Sequence, residues 1–309
     1  FNFSNRVQSL KPSAIREIFK SLTNPNVISF AAGNPSPLSF PVEKLKVLAD
    51  KIFEESAASS LQYGITEGYT PLREQVAERL KSKFNTGSDF DETIIVSGGQ
   101  QGIDLTCKVL CNEGDTVVCE NPSFIGSLNS FRSYNAKLFG VEMDSDGINI
   151  EKTEKILKTQ NIKLIYTIPT FQNPMGITQS LEKRKKLLEL AEKYDCYIIE
   201  DNPYGELRFS GEAVRAIKSM DENGRVIYVG SFSKTLSPGI RVGFVCCHKD
   251  IMNRIVVVKQ VNDVHTPLMN QMLVTEYIKN YDYDEHIKKG CRLYGEKCAL
   301  MLESIEKYF

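Results

Sequence analysis

Short apolar runs alternate with segments of helical periodicity along most of the chain. From residue 93 onward, each run that resembles a buried strand is followed by a turn and then by a helix or another strand. The predicted strands are 93–96, 116–119, 137–141, 163–168, 196–200, 225–229 and 241–247, and the intervening helices are one ending near 110, then 123–133, 150–157 and 180–194. This alternation predicts an α/β fold, a three-layer sandwich with a mostly parallel central sheet.

Further elements are predicted on either side of this central region. They are a strand at 27–31 and helices at 12–22, 41–58, 71–84, 250–261, 268–279 and from 281 onward. In the 180–194 helix, one face should point to the core and the other to water. The residues predicted to face the core are Leu181, Leu187, Leu188, Ala191 and Tyr194, and those predicted to face water are Lys183, Arg184 and Lys186.

Three regions are predicted from this pattern. Residues 1–40 form an N-terminal arm with part of a small domain, and residues 41–280 form a large domain. Residues 281–309 begin a small C-terminal α/β domain. Because a bare helix is a poor place for a domain to end, we expect that the remainder of this domain is absent from the sequence.

The most informative polar residues lie between the last two predicted strands. Ser231, Ser233, Lys234 and Arg241 fall between two apolar runs. A lysine held between buried strands needs a partner or a lowered pKa, and a lysine of lowered pKa is a nucleophilic amine that forms Schiff bases with carbonyls. The hydroxyls and the guanidinium are donors suited to a phosphate. An aldehyde that carries a phosphate describes pyridoxal phosphate (PLP).

Three other strand ends carry groups that suit the same ligand. The glycine turn at 97–100 opens a helix and suits a phosphate, although such turns can exist simply to turn the chain. Asn173 lies in a proline-stiffened turn, which is either a ligand contact or an ordinary turn. Asp201 ends a buried strand and needs a partner, either a pyridine nitrogen or a structural ion pair. Tyr204 either contacts the ring of the ligand or packs in the core as an ordinary tyrosine.

The composition limits the classes of partner that the protein is expected to bind. The net charge of -1 gives no reason to expect nucleic acid or an anionic membrane as a partner. No apolar run approaches the roughly 20 residues that span a bilayer, and the first residues lack the apolar core of a signal peptide. The cysteines have no zinc spacing and the three histidines are scattered, so no metal is expected. We expect a cytoplasmic protein with reduced thiols.

Four motifs together resemble those of class I/II aminotransferases of PLP fold type I. They are Ser-Phe-Ser-Lys at 231–234 with Gly-Ile-Arg-Val-Gly at 239–243, Asn-Pro-Met-Gly at 173–176, Asp-Asn-Pro-Tyr at 201–204, and Tyr-Gly at 63–64 with Gly-Tyr-Thr-Pro-Leu-Arg at 68–73. The resemblance covers nearly the whole chain. It is closest to the branch that holds 2-aminoadipate and kynurenine aminotransferases and MocR-type regulators.

The resemblance implies a catalytic and cofactor-binding role for several residues. Lys234 would bind the PLP aldehyde covalently and move the substrate α-proton, and Asp201 would pair with the pyridine nitrogen. Asn173 and Tyr204 would bind the ring oxygen. Phe124 would stack on the ring, where the branch often has tyrosine. The phosphate would be held by Gly98, Gly99, Gln100, Ser231, Ser233 and Arg241, with Gly99 standing where the branch usually has serine.

The resemblance also implies a homodimer and a substrate site. Tyr63 would reach the phosphate of the neighbouring subunit. Gly33, Asn34 and Asn173 would border the substrate, and Arg16 would meet a side-chain carboxylate. The family's arginine for the substrate α-carboxylate is expected beyond Phe309.

The implied activity is that of a PLP-dependent aminotransferase. It would exchange an amino group between an amino acid and a 2-oxo acid, with 2-oxoglutarate as the expected acceptor, by a ping-pong route. One alternative is the effector domain of a MocR-type regulator, which the few residues before position 12 disfavour because a winged helix–turn–helix needs more. The other is a PLP-dependent lyase, which would use the same ring-binding groups.

Overall fold

The computed structural model describes residues 1–8, 10, 26 and 33–309. The predicted helix at 12–22, the strand at 27–31 and Arg16 lie outside these residues. Within them, eight strands form one sheet in the order β1-β8-β7-β6-β5-β2-β3-β4. The strands are β1 Asp91–Val96, β2 Thr116–Asn121, β3 Lys137–Asp144, β4 Gly147–Ile148, β5 Ile162–Thr167, β6 Tyr197–Asp201, β7 Val226–Ser231 and β8 Gly243–His248.

Helices connect and cover the strands. They are α1 Asn5–Gln8, α2 Val42–Ser60, α3 Thr70–Phe84, α4 Gly99–Leu110, α5 Ile125–Ser133, α6 Ile150–Thr159, α7 Leu181–Lys193, α8 Lys249–Gln260, α9 Leu268–Asn280 and α10 Tyr283–Tyr308. Three short 3₁₀ helices lie at Pro37–Ser39, Lys218–Met220 and Pro238–Ile240. Among the described residues, no helix is long and apolar enough to cross a membrane.

Alternating strand residues face two different layers of helices, which confirms the predicted α/β sandwich. Ile94 and Tyr166 pack with α4, α5 and α8 on one face. Ile95 packs on the opposite face with α2, α3 and α9, and Ile165 packs on that face with α6 and α7. The period-2 pattern of the strands therefore divides the apolar residues between both faces, and the core lies on each side of the sheet.

One interior strand runs against its neighbours. Strands β2, β3, β5, β6 and β7 pair in parallel, whereas β8 is antiparallel to both β1 and β7. Gly243, the first residue of β8, lies opposite Val96 and Ser231, the last residues of β1 and β7. The loop before β8 therefore reaches the same edge of the sheet as the loops after β1 and β7.

The prediction that Arg184 faces water is wrong. Its side chain is buried, and it donates to carbonyl oxygens of Gln179 (2.9 Å), Arg215 (3.0 Å) and Pro169 (2.6 Å). The cause is the loop at 169–179, which packs over the first turn of α7 and presents acceptors that helical periodicity does not reveal. Leu187, Leu188 and Ala191 are buried, as predicted, and Tyr194 packs against the same core. The inward position predicted for Leu181 is wrong, because this first residue of α7 is 37% exposed.

Candidate functional site

Most of the predicted site residues lie at one edge of the sheet. Strands β1, β2, β5, β6 and β7 all end at this edge, here called the carboxyl edge, and β8 begins there. In open α/β sheets, ligands bind in the loops beyond the carboxyl ends of the strands.

Lys234 follows β7 and has no carboxylate partner among the described residues. Its Nζ donates to the carbonyl oxygen of Gly33 (3.0 Å) and lies 5.8 Å from the centroid of the Tyr204 ring. Burial, and then the positive charge of Arg241, lowers the pKa of the Lys234 amine. A lowered pKa makes the neutral, nucleophilic form easier to reach.

Donors for an anion collect beside Lys234. Arg241 is exposed, and its Nη1 donates to the Ser233 hydroxyl (3.3 Å) while its Nη2 donates to the Ser97 carbonyl (3.1 Å). The Ser231 hydroxyl donates to that of Ser233 (2.9 Å). No described carboxylate forms an ion pair with Arg241, so its charge is available to a ligand.

The glycine turn that leads into α4 lies next to Arg241. Gly98 has φ +81°, and a Cβ there would lie 2.1 Å from Arg241 Nη2, so only glycine fits. At Gly99 a Cβ would meet Val229 Cγ1 at an ordinary 3.5 Å. Helix α4 begins at Gly99, and its first backbone N–H groups add donors and a positive helix end.

Gln100 and Phe124 lie next to each other. The Gln100 amide donates to the Gly126 carbonyl (3.0 Å) and the Ser130 hydroxyl (2.8 Å), so its side chain is already committed and only its backbone N–H remains for an anion. Phe124 precedes α5, and a Cβ on Gly126 would lie 2.7 Å from its ring. The Phe124 ring therefore packs against Gly126 in the first turn of α5.

Asp201, the last residue of β6, is buried and has no cation partner in the described part of the chain. Tyr166 donates its hydroxyl to Asp201 Oδ2 (2.7 Å), and Ser127 in turn donates to Tyr166 (2.8 Å). Burial raises the pKa of Asp201 to about 6, against the opposing hydrogen bond from Tyr166. The alternative of a structural ion pair for this carboxylate is therefore not seen among the described residues.

Asn173 and Tyr204 form a hydrogen-bonded pair beside Lys234. Asn173 Nδ2 donates to the Tyr204 hydroxyl (3.2 Å), and burial raises the pKa of that phenol. Both side chains line a cavity of about 550 Å³ together with Gly33, Asn34, Phe171, Leu207, Phe209, Lys234 and Tyr294.

Tyr63 lies outside this cavity. It sits in the loop after α2 with 80% of its surface exposed, and its ring meets His265 edge-on at a centroid distance of 5.9 Å. Gly64 N–H donates to His265 Nε2 (3.2 Å), which ties this loop to the one before α9.

Sequence reasoning missed four polar residues at this edge. They are Ser127, Tyr166, Glu120 and Gln172, all buried. Tyr166 lies inside an apolar run, where nothing separates it from a core tyrosine. Glu120 does carry a signal, because an acid near the end of an apolar strand is the feature that identified Asp201.

The donor set at the carboxyl edge fits PLP. A guanidinium, two hydroxyls and a helix N-terminus suit a phosphate, and a buried acid without a cation suits a protonated ring nitrogen. Lys234, an amine of lowered pKa, lies between Ser233 and Arg241 in the sequence and lines the cavity. A Cβ at Gly98 would lie 2.1 Å from Arg241 Nη2, so a side chain there would require the guanidinium to move away.

The fold and the site together define a class of PLP-binding α/β proteins. The sequence profile named Aminotransferase class I and II matches residues 25–281, and the chain belongs to that family. The prediction of a PLP-dependent aminotransferase is thereby confirmed, and the matches also include a MocR-type regulator.

Individual relatives lie in the predicted branch. Aromatic-amino-acid aminotransferase 1 of Thermococcus litoralis is 39% identical over 99% of this chain and 75% of its own length. The 2-aminoadipate transaminase of Thermus thermophilus is 38% identical over 99% and 76%. The solved kynurenine aminotransferase of Pyrococcus horikoshii, in complex with PMP, has a TM-score of 0.94 at 37% identity and covers 99% and 77%.

Proposed function

We propose that the protein binds PLP at the carboxyl edge and transfers the amino group of an amino acid to a 2-oxo acid, with 2-oxoglutarate as the acceptor. The observation that carries this proposal is a buried acid, Asp201, and an amine of lowered pKa, Lys234, each without an opposite charge among the described residues. Such groups destabilise a fold unless a ligand engages them.

Each end of the cofactor has residues to hold it. Ser231, Ser233, Arg241 and the backbone of the Gly98–Gln100 turn would bind the phosphate, and Phe124 would stack on the ring. Asp201 would pair with the ring nitrogen, and Asn173 and Tyr204 would bind the ring oxygen. When bound, PLP supplies an aldehyde that condenses with amines and a protonated ring that accepts an electron pair.

Lys234 is the proposed acid–base group. Its lowered pKa favours a neutral amine that can take the proton from the substrate α-carbon, and later return one to the α-carbon of the 2-oxo acid. The same amine is the proposed covalent attachment point of the cofactor.

A ping-pong order is proposed because both substrates would use the same cavity in turn. Gly33, Asn34 and Asn173 line this cavity beside Lys234. The first amino acid would leave as its 2-oxo acid before the acceptor enters and leaves as an amino acid.

The cavity wall favours an amino donor with an apolar or aromatic side chain. Phe171, Leu207, Phe209 and Tyr294 form much of this wall. Relatives named for aromatic amino acids and kynurenine agree with such a donor. Arg16, outside the described residues, stays a proposed contact for a carboxylate on an acidic donor.

The proposed active unit is a homodimer. Leu61 (72%), Tyr63 (80%) and Ile65 (53%) expose large apolar surfaces on one loop, and Val261 (77%) does so on the loop tied to it through His265. Clustered exposed apolar side chains mark interaction sites. A second copy covering this surface would bring Tyr63 toward the other phosphate site.

The test uses the full-length protein incubated with PLP. Binding should give a visible absorbance band, and borohydride reduction followed by peptide mass mapping should find the phosphopyridoxyl group on Lys234. Lys234→Ala should lose both signals. A reducible adduct that persists in this variant would refute the assignment.

An amino-acid panel with and without 2-oxoglutarate then tests the reaction. Transfer requires the new 2-oxo acid and glutamate in equal amounts, with an aromatic or apolar donor ahead of acidic ones. Without an acceptor, at most one equivalent of 2-oxo acid per active site should form, and continued release beyond that amount would favour a lyase instead.

A further inference from the structure

Glu120 is a buried acid that the proposed reaction does not use. Only 1% of its surface is exposed, and no lysine, arginine or histidine pairs with it within the described residues. It accepts hydrogen bonds from the Thr167 hydroxyl (2.6 Å), the Ile168 N–H (3.1 Å) and the Gln172 amide (2.9 Å). Burial raises the pKa of Glu120 to about 7, although these three donors oppose the shift.

The three groups that donate to Glu120 belong to one segment of the chain, which leads to Asn173. Thr167 is the last residue of β5, and Ile168 and Gln172 lie on the loop that leads to Asn173. Glu120 itself lies one residue before the end of β2, so the loop that follows it carries Phe124. The carboxylate therefore joins the loop of Asn173 to the loop of Phe124.

Gln172 completes the connection because each of its polar groups is bonded. Its amide donates to Glu120 and to the Pro122 carbonyl (2.9 Å each), and its side-chain oxygen accepts from Met175 N–H (2.9 Å). Its backbone N–H donates to the Ile177 carbonyl (2.8 Å), and its own carbonyl accepts from Gly176. The turn that holds Asn173 is thus fixed from inside and attached to the residue two positions before Phe124.

We propose that Glu120 and Gln172 act as a positioning pair that sets the separation between Phe124 and Asn173. This inference rests on the proposed function, in which Phe124 contacts the face of the cofactor ring and Asn173 contacts its edge. A leucine at position 120 would fill the interior without a buried charge, so an acid with three donors is an arrangement that packing alone does not require.

The test compares Glu120→Gln with wild-type protein. Whichever way the new amide turns, an N–H group faces the donor of Gln172 or of Ile168, so one connection breaks. We expect the PLP dissociation constant to rise about tenfold. The pH midpoint of the visible cofactor band should also move upward, because a misplaced Asn173 no longer binds the ring oxygen.

Two further variants separate positioning from simple loss of stability. In Glu120→Gln with Gln172→Glu, the carboxylate and the amide exchange places and the connection between 120 and 172 is restored, whereas the Pro122 carbonyl loses its donor. The PLP dissociation constant should therefore recover part of the loss seen in Glu120→Gln. Glu200→Gln is the matched control, since Glu200 is equally buried but accepts from the backbone of Ile217 and Lys218. It should lower the melting temperature and leave the dissociation constant unchanged.

The possible results give a definite decision. If wild-type protein binds PLP and Glu120→Gln loses melting temperature alone, as the Glu200 control does, the pair is merely structural and the inference is overturned. Failure of wild-type protein to bind PLP would instead defeat the proposed function. Should Glu120→Gln not fold, Gln172→Leu breaks the same bridge from the other side. Failure of that variant to fold would make the pair a folding element and also overturn the inference.

Discussion

Lys218 at the amino edge of the central sheet, where β1 and β7 begin, and Lys234 at the carboxyl edge have opposite electrostatic surroundings. At the amino edge, Lys218 lies fully buried between Asp91 (2.7 Å) and Asp221 (2.8 Å). Burial alone would lower the pKa of Lys218, but the two carboxylates raise it above its ordinary value. At the carboxyl edge, Lys234 and Asp201 have no such partners, and the pKa of each shifts toward its neutral form.

The difference separates charges that are paired within the fold from charges that are left for the proposed ligand. Asp91, Lys218 and Asp221 hold the start of β1 to the segment before β7, and removing one leaves the others buried and uncompensated. Lys234 and Asp201 have no opposite charge among the described residues and would contribute nothing comparable to the fold without a ligand. Substitutions of Lys218 and of Lys234 should therefore have opposite effects on stability and on activity.

Replacing each lysine by methionine gives the largest expected contrast. Lys218→Met should lower the free energy of unfolding by about 3–5 kcal/mol, because it strands two carboxylates, and should leave kcat/KM of the folded protein near wild type. Lys234→Met should lower kcat by about 10³-fold or more and leave the cofactor-free protein at least as stable as wild type. Urea denaturation and steady-state kinetics would check both; loss of stability in the Lys234 variant would contradict the comparison.

The pH dependence of stability tests Asp201. Its carboxyl has a pKa of about 6 in the folded chain against 3.8 as the ordinary value, so between these pH values the folded state holds a proton that the unfolded state has lost. The contribution of Asp201 to the stability of the cofactor-free protein should therefore fall by about 3 kcal/mol as pH rises from about 4 to 6, and Glu120, whose pKa is also raised, adds a fall of its own. Asp201→Asn should lack this part of the fall. Denaturation curves of equal pH dependence for both proteins would show that the acid is compensated.

Gly98, which precedes α4, and Gly99, the first residue of α4, offer a matched pair at the proposed phosphate site. Gly98→Ala should weaken PLP binding at least about tenfold, because its Cβ would collide with Arg241 and φ is positive. Gly99→Ala meets only ordinary contacts and should change the dissociation constant little. Absorbance titration with PLP measures both, and an equal loss in the two variants would contradict the close approach.

The smallest effect is expected from Tyr166→Phe. Losing the hydrogen bond from Tyr166 should raise the pKa of Asp201 further, since that bond stabilises the ionised carboxylate. PLP binding at pH 7 should weaken about threefold and recover toward pH 8.5, where the acid is ionised in both proteins. A titration that shows the same weakening at both pH values would assign Tyr166 a packing role instead.

Much of the fold follows from the apolar pattern, but strand direction does not. The runs at 163–168 and 196–200 predict buried strands because apolar residues in a parallel sheet face helices on both sides. Nothing in the run at 241–247 reveals that β8 is antiparallel, since the period of a strand is the same in either direction. Arg184 was misplaced because its acceptors are carbonyls of a loop that only the fold brings near.

The residues of the site also divide into those that the sequence reveals and those that it does not. Lys234, Asp201 and Arg241 stand out because polar groups next to apolar runs are expensive to bury, and family motifs add their implied roles. Gln172 and Tyr166 have no such signal, because their partners lie 52 and 35 residues away in the chain. The importance of these residues becomes visible only as hydrogen bonds between strand ends.

The reversed direction of β8 has a consequence for how the protein can vary. Because the chain turns back after β7, one short loop presents both the amine and the guanidinium, seven residues apart, at the same edge. In the proposed site, covalent attachment through Lys234 and electrostatic attachment through Arg241 would thereby be mechanically coupled. An insertion or deletion between positions 234 and 241 would displace one anchor relative to the other, so this loop tolerates changes of residue type more readily than changes of length.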